Sequence, residues 1–521
     1  MSELLSCLPE YGTAHLQLTL AALLLGGLVA IPTGIWVTRR KRFEPAVLGS
    51  ASVLQTIPSL ALLAFMVPLL AALGGFTASV FGIELRSIGF LPALLALTLY
   101  SVLPMLRNTV TGIEGVDPAL VEAARGVGMT DAQQLWRVEL PLALPVIVAG
   151  VRTATVWVVG TATLAMPVGA KSLGYYIFSG LQTRNFTAVI LGSVAAAGLA
   201  LTLDGLIRLL ERGVRERARG PVTTALVLLS ALLVYAGATF AWSASPGGER
   251  AVAIGAKTFT EQYILAAMLS QQVTRETGRP TRTVESLGST VAFDALRSGE
   301  LDLYVDYSGT IWATIMKRDE LPDDRAQVVR QVGEYLAAGP GIELVGALGF
   351  ENTYVLGMRE AQARELGVET IGQLSRHAPR LEIGGDYEFF ARPEWAALRD
   401  TYGLRFRRRR SMDASLMYQA AAAGEVDVIS AFSTDGRIAA FDLRLLKDDR
   451  GVIPPYDAII LASARLVREA PDVVEAVRAL LGRIDEATMQ QLNWAVDEQG
   501  RSPTAVARDF LAGLEEGGDG G

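Results

Sequence analysis

Aromatic side chains at turns between strands and helices are the residues of this sequence best suited to chemistry. Tyr307, Tyr354, Tyr418 and Phe432 each stand at or near such a turn in the second half of the chain. Ring faces attract a quaternary ammonium group by cation–π contact. Helices open near Gln262 and Thr310, and the free backbone N–H groups of a helix start welcome an anion. An arginine does the same for a carboxylate. A zwitterion with a methylated nitrogen meets both requirements. Taken singly, each ring is more often core filler; only the combination argues for a site.

Catalytic chemistry has little to work with. Two histidines and the single cysteine, Cys7, supply no Ser/His/Asp or Cys/His set. His377 stands alone in a loop without ligand partners, so no metal is expected. No G-x-x-x-x-G-K-[ST] phosphate loop occurs, since Lys171-Ser172 and Lys257-Thr258 each follow an alanine. The chain is therefore expected not to be an enzyme and to bind no cofactor. A separate subunit would have to use any ATP. A net charge of −7 and the lack of a domain-wide basic face argue against nucleic acid as partner. The arginines at Arg405 and Arg407–Arg410 read as the outward face of an edge strand.

The elements that must position these residues fall into two unlike halves. The chain has 521 residues, half of them hydrophobic, and apolar runs dominate up to about Trp242. Spanning a bilayer core takes about 20 mainly apolar residues per helix. Six segments qualify: His15–Val37, Ala46–Leu73, Ile88–Leu106, Leu142–Met166, Phe186–Leu209 and Val222–Trp242. Pro32, Pro58, Pro68, Pro92 and Pro104 predict kinks within them, not breaks. Basic residues cluster at Arg39–Arg42, at Arg107, Arg125 and Arg137, and from Arg208 to Arg219; the opposite loops hold only Arg86, Lys171 and Arg184. The rule that positive loops stay inside puts the amino terminus and residues from Glu249 onward outside the cytoplasm. Arg152 and Asp204 lie inside spans, where charge calls for a partner. Arg208, one turn from Asp204, is the expected one, and Arg152 is as well placed to snorkel as to line a pathway.

Ser243–Gly248 reads as a hinge, and strand-then-helix units follow. Strands are predicted at Ala251–Gly255, Thr283–Leu287, Leu301–Val305, Val355–Met358, Glu382–Gly384, Arg405–Arg409 and Val426–Ile429. Thr258 with Glu261 reads as a capping box. The alternation predicts two α/β lobes with mostly parallel sheets and a ligand beyond the strands' carboxyl ends. In the apolar half, the polar stretch EAARGVGMTDAQQLWRVELP (122–141) predicts two short helices around a glycine hinge. Asp117 and Pro118 open the first, Thr130 and Gln133 cap the second, and Pro141 stops it.

That stretch resembles the cytoplasmic coupling loop of ABC importer permeases, and residues 1–242 resemble the permease as a whole. Residues 249–521 resemble the binding proteins of importers for glycine betaine, choline and related osmoprotectants. The matching strings are KTFTEQ (257–262), VDYSGT (305–310), ENTYVL (351–356), MYQAAAAGEVDVISAFSTDGRI (417–438) and PPYDAI (454–459). Fusion of the two parts is similar to some ergothioneine importers. The resemblance implies an all-α transmembrane domain of about six helices, then an α/β two-lobed periplasmic-binding-protein-like domain. Lobe 1 would take about 249–354 and 457–514, and lobe 2 about 355–456. It implies an aromatic cage at Tyr307, Tyr354, Tyr418 and Phe432, the last replacing the family's usual tyrosine. Polar contacts fall to Gln262 and Thr310, and Arg392 matches a second-lobe arginine, although Glu394-Trp395 follows where Asp-Gly is usual. ATPase coupling would rest on Glu122, Ala123, Ala124, Gly128, Leu140 and Pro141 in the loop 117–141. The implied partners are a cytoplasmic ABC ATPase and a second copy of this chain, in a bacterial inner membrane.

Overall fold

The computed structural model describes residues 2–81, 85–183, 185–244, 250–318 and 325–518. Arg184, most of the 243–248 hinge, Glu249 and the last three residues of the tail lie outside them. Two compact units emerge, residues 1–178 with 187–248, and residues 249–521 with 179–186.

The first unit is helical. Its helices are α1 (Ser2–Arg39), α2 (Glu44–Thr56), α3 (Ser59–Phe81), α4 (Phe90–Glu114), α5 (Pro118–Gly126), α6 (Asp131–Gln134), α7 (Leu140–Ala162), α8 (Gly174–Gln182), α9 (Phe186–Arg215) and α10 (Arg219–Ala244). Among the described residues five helices are long and apolar enough to cross a membrane. The second expected span is not one rod: α2 and α3 meet at 99°. Ile57 is extended (ψ 126°) because the following Pro58 disfavours helical backbone, and the chain turns there. Helices α1 and α4 pack so closely that a Cβ on Gly34 would stand 2.7 Å from the Thr109 side chain, the small-residue packing on which membrane helices depend.

The loop around residue 122 has the two capped helices that its sequence predicts. Asp117 accepts from Ala119 N at 2.9 Å. Thr130 and Gln133 exchange both capping-box bonds, at 3.0 and 3.3 Å. Gly128 lies between them at φ +81°, a left-handed conformation that glycine adopts without strain. Pro141 does not stop the second helix. A π-helical stretch, Leu135–Glu139, joins α6 to α7, and Pro141 sits in the first turn of α7, where its missing N–H costs little. Asp204 pairs with Arg152 (2.9 Å), not with Arg208, and Arg152 also reaches Glu211 at 2.8 Å. Arg152 is thus tied to α9 by two carboxylates.

Among the described residues the second unit holds ten strands: β1 (Val252–Lys257), β2 (Thr281–Leu287), β3 (Leu303–Tyr307), β4 (Glu343–Glu351), β5 (Tyr354–Arg359), β6 (Glu382–Gly385), β7 (Arg408–Ser411), β8 (Val428–Phe432), β9 (Leu443–Leu446) and β10 (Asp457–Ala462). They form two sheets ordered β2-β1-β3-β10-β4 and β7-β6-β8-β5-β9. Pairing is parallel except for one strand in each, β10 and β5, which runs against its neighbours. Those two strands are where the chain crosses between lobes. Tyr354 opens β5, so it belongs to the second sheet, and the crossing falls at Asn352–Thr353. Strands β1 and β10 are buried along their whole length, and each is apolar except at one end, Lys257 in β1 and Asp457 in β10. At the edge, β7 is RRRS; Arg407 and Arg410 reach Glu382 on β6 at 2.7 and 2.8 Å, and the charges discourage further strand pairing. Helix α11 (Thr260–Thr277) begins after Phe259 without a side-chain cap. The Thr258–Glu261 capping box is therefore absent, and Glu261 points into the interior instead.

Candidate functional site

The carboxyl ends of β1, β3 and β8, together with the two crossovers, surround a cleft of about 210 Å³ in the second unit. Of the residues expected there, Tyr307, Thr310, Tyr354, Arg392 and Phe432 line it. Rings dominate its wall. Tyr307 and Phe259 have centroids 6.1 Å apart, Phe259 and Phe432 lie 6.1 Å apart and nearly parallel, and Phe432 leans on Tyr354 at 4.9 Å. Tyr354 in turn meets Tyr456 edge to face at 6.1 Å. Five rings thus form one continuous run.

Two expected residues stand elsewhere. Tyr418 is wholly buried in the core of lobe 2, beneath the Arg437 guanidinium at 4.2 Å. Its hydroxyl accepts the Phe432 backbone N–H at 2.9 Å, so it supports a cleft ring from behind and is not a wall residue. Gln262 is also buried; its side chain donates to the Tyr307 hydroxyl at 3.0 Å and accepts from Lys257 N at 3.3 Å. Its own backbone N–H is already donated to Phe259 and is not a free anion site. Phe259 and Tyr456 take the vacant places in the wall. Both lie within KTFTEQ and PPYDAI, strings legible in the sequence, where the adjoining prolines and threonines mark turns.

Polar groups of both lobes and the crossover complete the cleft, Lys257 and Thr310 from lobe 1 and Asp386, Glu388 and Arg392 from lobe 2. Arg392 is about nine-tenths buried, 5.3 Å from the Tyr354 ring centre. It pairs with Glu388 at 3.2 Å and lies 3.6 Å from Glu394, yet its Nε and Nη1 have no hydrogen-bond partner. Burial works against its charge, but Tyr354, Tyr456, Glu394 and Glu388 outweigh burial and raise its pKa. Asp386, a further lining residue, accepts the N–H groups of Glu388 and Phe389 through Oδ1 and leaves Oδ2 unmatched; burial pushes its pKa up. Lys257 is buried in a pair with Asp306, its ammonium 5.3 Å from the Tyr307 ring centre. Among the described residues no group of His, Cys, Asp and Glu could hold a metal ion. An aromatic wall facing a buried arginine with spare donors is the chemistry of a small-solute receptor.

Comparison with known proteins extends this from fold to family. Residues 250–513 match the family described as substrate binding domain of ABC-type glycine betaine transport system. Residues 26–216 match the binding-protein-dependent transport system inner membrane component. Over 493 residues the chain is 30% identical to the ergothioneine transport permease/ergothioneine binding protein EgtU of Helicobacter pylori, covering 92% of this chain and 86% of that protein. The first half is 44% identical over 198 residues to the choline transport permease OpuBB of Bacillus subtilis, 38% of this chain and 84% of that one. The second half is 35% identical over 272 residues to the glycine-betaine-binding protein of Pseudomonas aeruginosa, 50% of this chain and 86% of that one. The molecule is thus a membrane transport subunit with its own solute receptor. It belongs to the ABC importers in which permease and substrate-binding protein are one polypeptide.

Proposed function

We propose that the second unit captures a quaternary ammonium solute bearing a carboxylate and passes it to a pathway formed by the membrane unit. The run of five rings ending beside Arg392 carries this reading. The rings offer π-faces to a trimethylated nitrogen, and the unmatched Arg392 donors offer charge-assisted bonds to a carboxylate. Glycine betaine and related osmoprotectants fit, as the relatives' names suggest. The full-length likeness to an ergothioneine permease–binding protein favours ergothioneine as the second reading; choline, without a carboxylate, leaves Arg392 unused.

Transport needs an energy source, and a cytoplasmic ABC ATPase docking on α5 and α6 would supply it. The chain itself would hold no cofactor. Glu122, Ala123 and Gly128 are exposed there, as are Val127 and Trp136, so the surface offers both polar and apolar contacts. Two copies of this chain would form the pathway, with the receptor unit outside the cytoplasmic membrane, as the arginine distribution argues. A membrane-anchored sensor would share the receptor but has no need of a capped, glycine-hinged loop. Titration of the protein with glycine betaine, carnitine, choline and ergothioneine tests the reading. Saturable binding of a carboxylate-bearing member is expected, and binding to none would refute it.

A further inference from the structure

One buried carboxyl group of the receptor unit, outside the cleft lining, is held by four hydrogen bonds. Glu261 is 2% exposed, and each of its oxygens accepts two hydrogen bonds. Oε1 accepts the Tyr307 hydroxyl at 2.5 Å and Asn352 Nδ2 at 3.0 Å. Oε2 accepts the Thr434 hydroxyl at 2.5 Å and Asn493 Nδ2 at 3.2 Å. These four donors come from four places in the fold. Tyr307 ends β3 in lobe 1, Asn352 lies in the crossover, Thr434 follows β8 in lobe 2, and Asn493 is on the Glu486–Asp497 helix. Asn493 also donates to the Thr434 carbonyl at 2.9 Å, closing the network. Burial pushes the Glu261 pKa up, and the hydrogen bonds that oppose the rise come from neutral donors. A buried carboxyl group held this way is costly to disturb, because losing one donor leaves a buried oxygen unmatched.

We infer that Glu261 is a positioning residue that ties the ring of Tyr307 to the relative placement of the two lobes. Thr434 follows the lobe 2 strand β8 and Tyr307 ends the lobe 1 strand β3, and each holds one oxygen of the same carboxylate. When lobe 2 shifts, Thr434 pulls on Oε2 and changes the hold of Oε1 on the Tyr307 hydroxyl. Gln262, the other partner of that hydroxyl, sits on the same helix turn and keeps the ring from rotating freely. The inference rests on the proposed role of Tyr307 in the solute cleft, but the network exists without a solute.

The test uses the full chain in detergent and the variants T434V, Y307F, E261Q and the double variant T434V/Y307F. Amide hydrogen exchange over residues 305–310 is read first, without any solute. T434V, which does not touch Tyr307, is expected to speed exchange there several-fold, and unchanged exchange overturns the inference. Next, affinity is measured for glycine betaine, choline and ergothioneine. T434V and Y307F are each expected to weaken binding, E261Q by about tenfold, and the double variant by no more than the worse single one. Additive losses mean two independent structural effects and also overturn it. If the wild-type chain binds none of the three probes, the solute assignment fails while the exchange result still decides the coupling.

Discussion

Arg392 places its guanidinium 5.3 Å from the centre of the Tyr354 ring and keeps two nitrogens without hydrogen-bond partners. One ring thus lies between the group suited to a carboxylate and the wall suited to a methylated nitrogen. Replacing Arg392 by Ala should weaken carboxylate-bearing ligands by about 1.5–3 kcal/mol, the scale of a hydrogen bond to a charged group. Choline should lose much less. Calorimetric titration separates the cases, and equal losses for choline and glycine betaine would mean that Arg392 only shapes the pocket.

Truncating cage rings should act on affinity. Tyr307→Ala and Tyr354→Ala are each expected to cost about 1–2 kcal/mol or more in ligand binding on cation–π magnitudes. Tyr456→Ala should behave alike. Tyr418→Ala should differ, because that ring is core: thermal unfolding should report a loss of about 3–5 kcal/mol. Ligand affinity of the folded Tyr418 variant should fall mainly through Phe432. If Tyr456→Ala leaves binding untouched, the wall has been misassigned.

The capped loop separates binding from transport. Substituting Glu122, or replacing Gly128 by Val, is expected to abolish solute uptake by cells while the receptor still binds. A β-branched residue resists φ +81°, so the valine variant should distort the hinge itself. Uptake at the wild-type rate in both variants would remove the loop from the mechanism.

Acidity should matter at Asp497. Burial pushes its pKa up to about 7, with Asp435 adding to the rise and Arg437 opposing it. Its Oδ1 accepts the Thr260 hydroxyl at 2.6 Å. A carboxyl whose folded pKa is raised favours folding while protonated. That contribution is fully present below the ordinary carboxylate range and is lost as pH climbs through about 7. Between pH 5 and 8 the receptor unit should therefore lose melting temperature, and Asp497→Asn should lose less. Parallel melting curves across that range would contradict this.

What the sequence made legible was local. Asp117, Thr130 and Gln133 cap helices through partners two or three residues away, so their roles could be read from spacing. Glu261 could not be read that way. A threonine three residues before it looked like a cap, while its real partners lie 46 to 232 residues further along. Tyr418, on a helix, packs into the core, while Tyr456, just before β10, lines the cleft; only the fold decides which ring meets the cleft. Strand β7 appears three residues later than predicted because RRRS has no apolar pattern and is a strand only by pairing with β6. The sequence pattern predicts no strand at β4, β9 or β10; Gly346 and Gly349, both at positive φ, interrupt β4.

The paired crossovers have a mechanical consequence. Asn352 N donates to the Tyr456 carbonyl at 3.0 Å, so the two connecting segments are fastened side by side, like two leaves on one door pin. Rotation about that pin is easy, whereas twisting or sliding would stretch both segments at once. Tyr354 and Tyr456 flank that fastening with their rings 6.1 Å apart, while Tyr307 and Phe432 end strands of opposite lobes. A solute taken up in this cleft would therefore meet a corner that is already assembled.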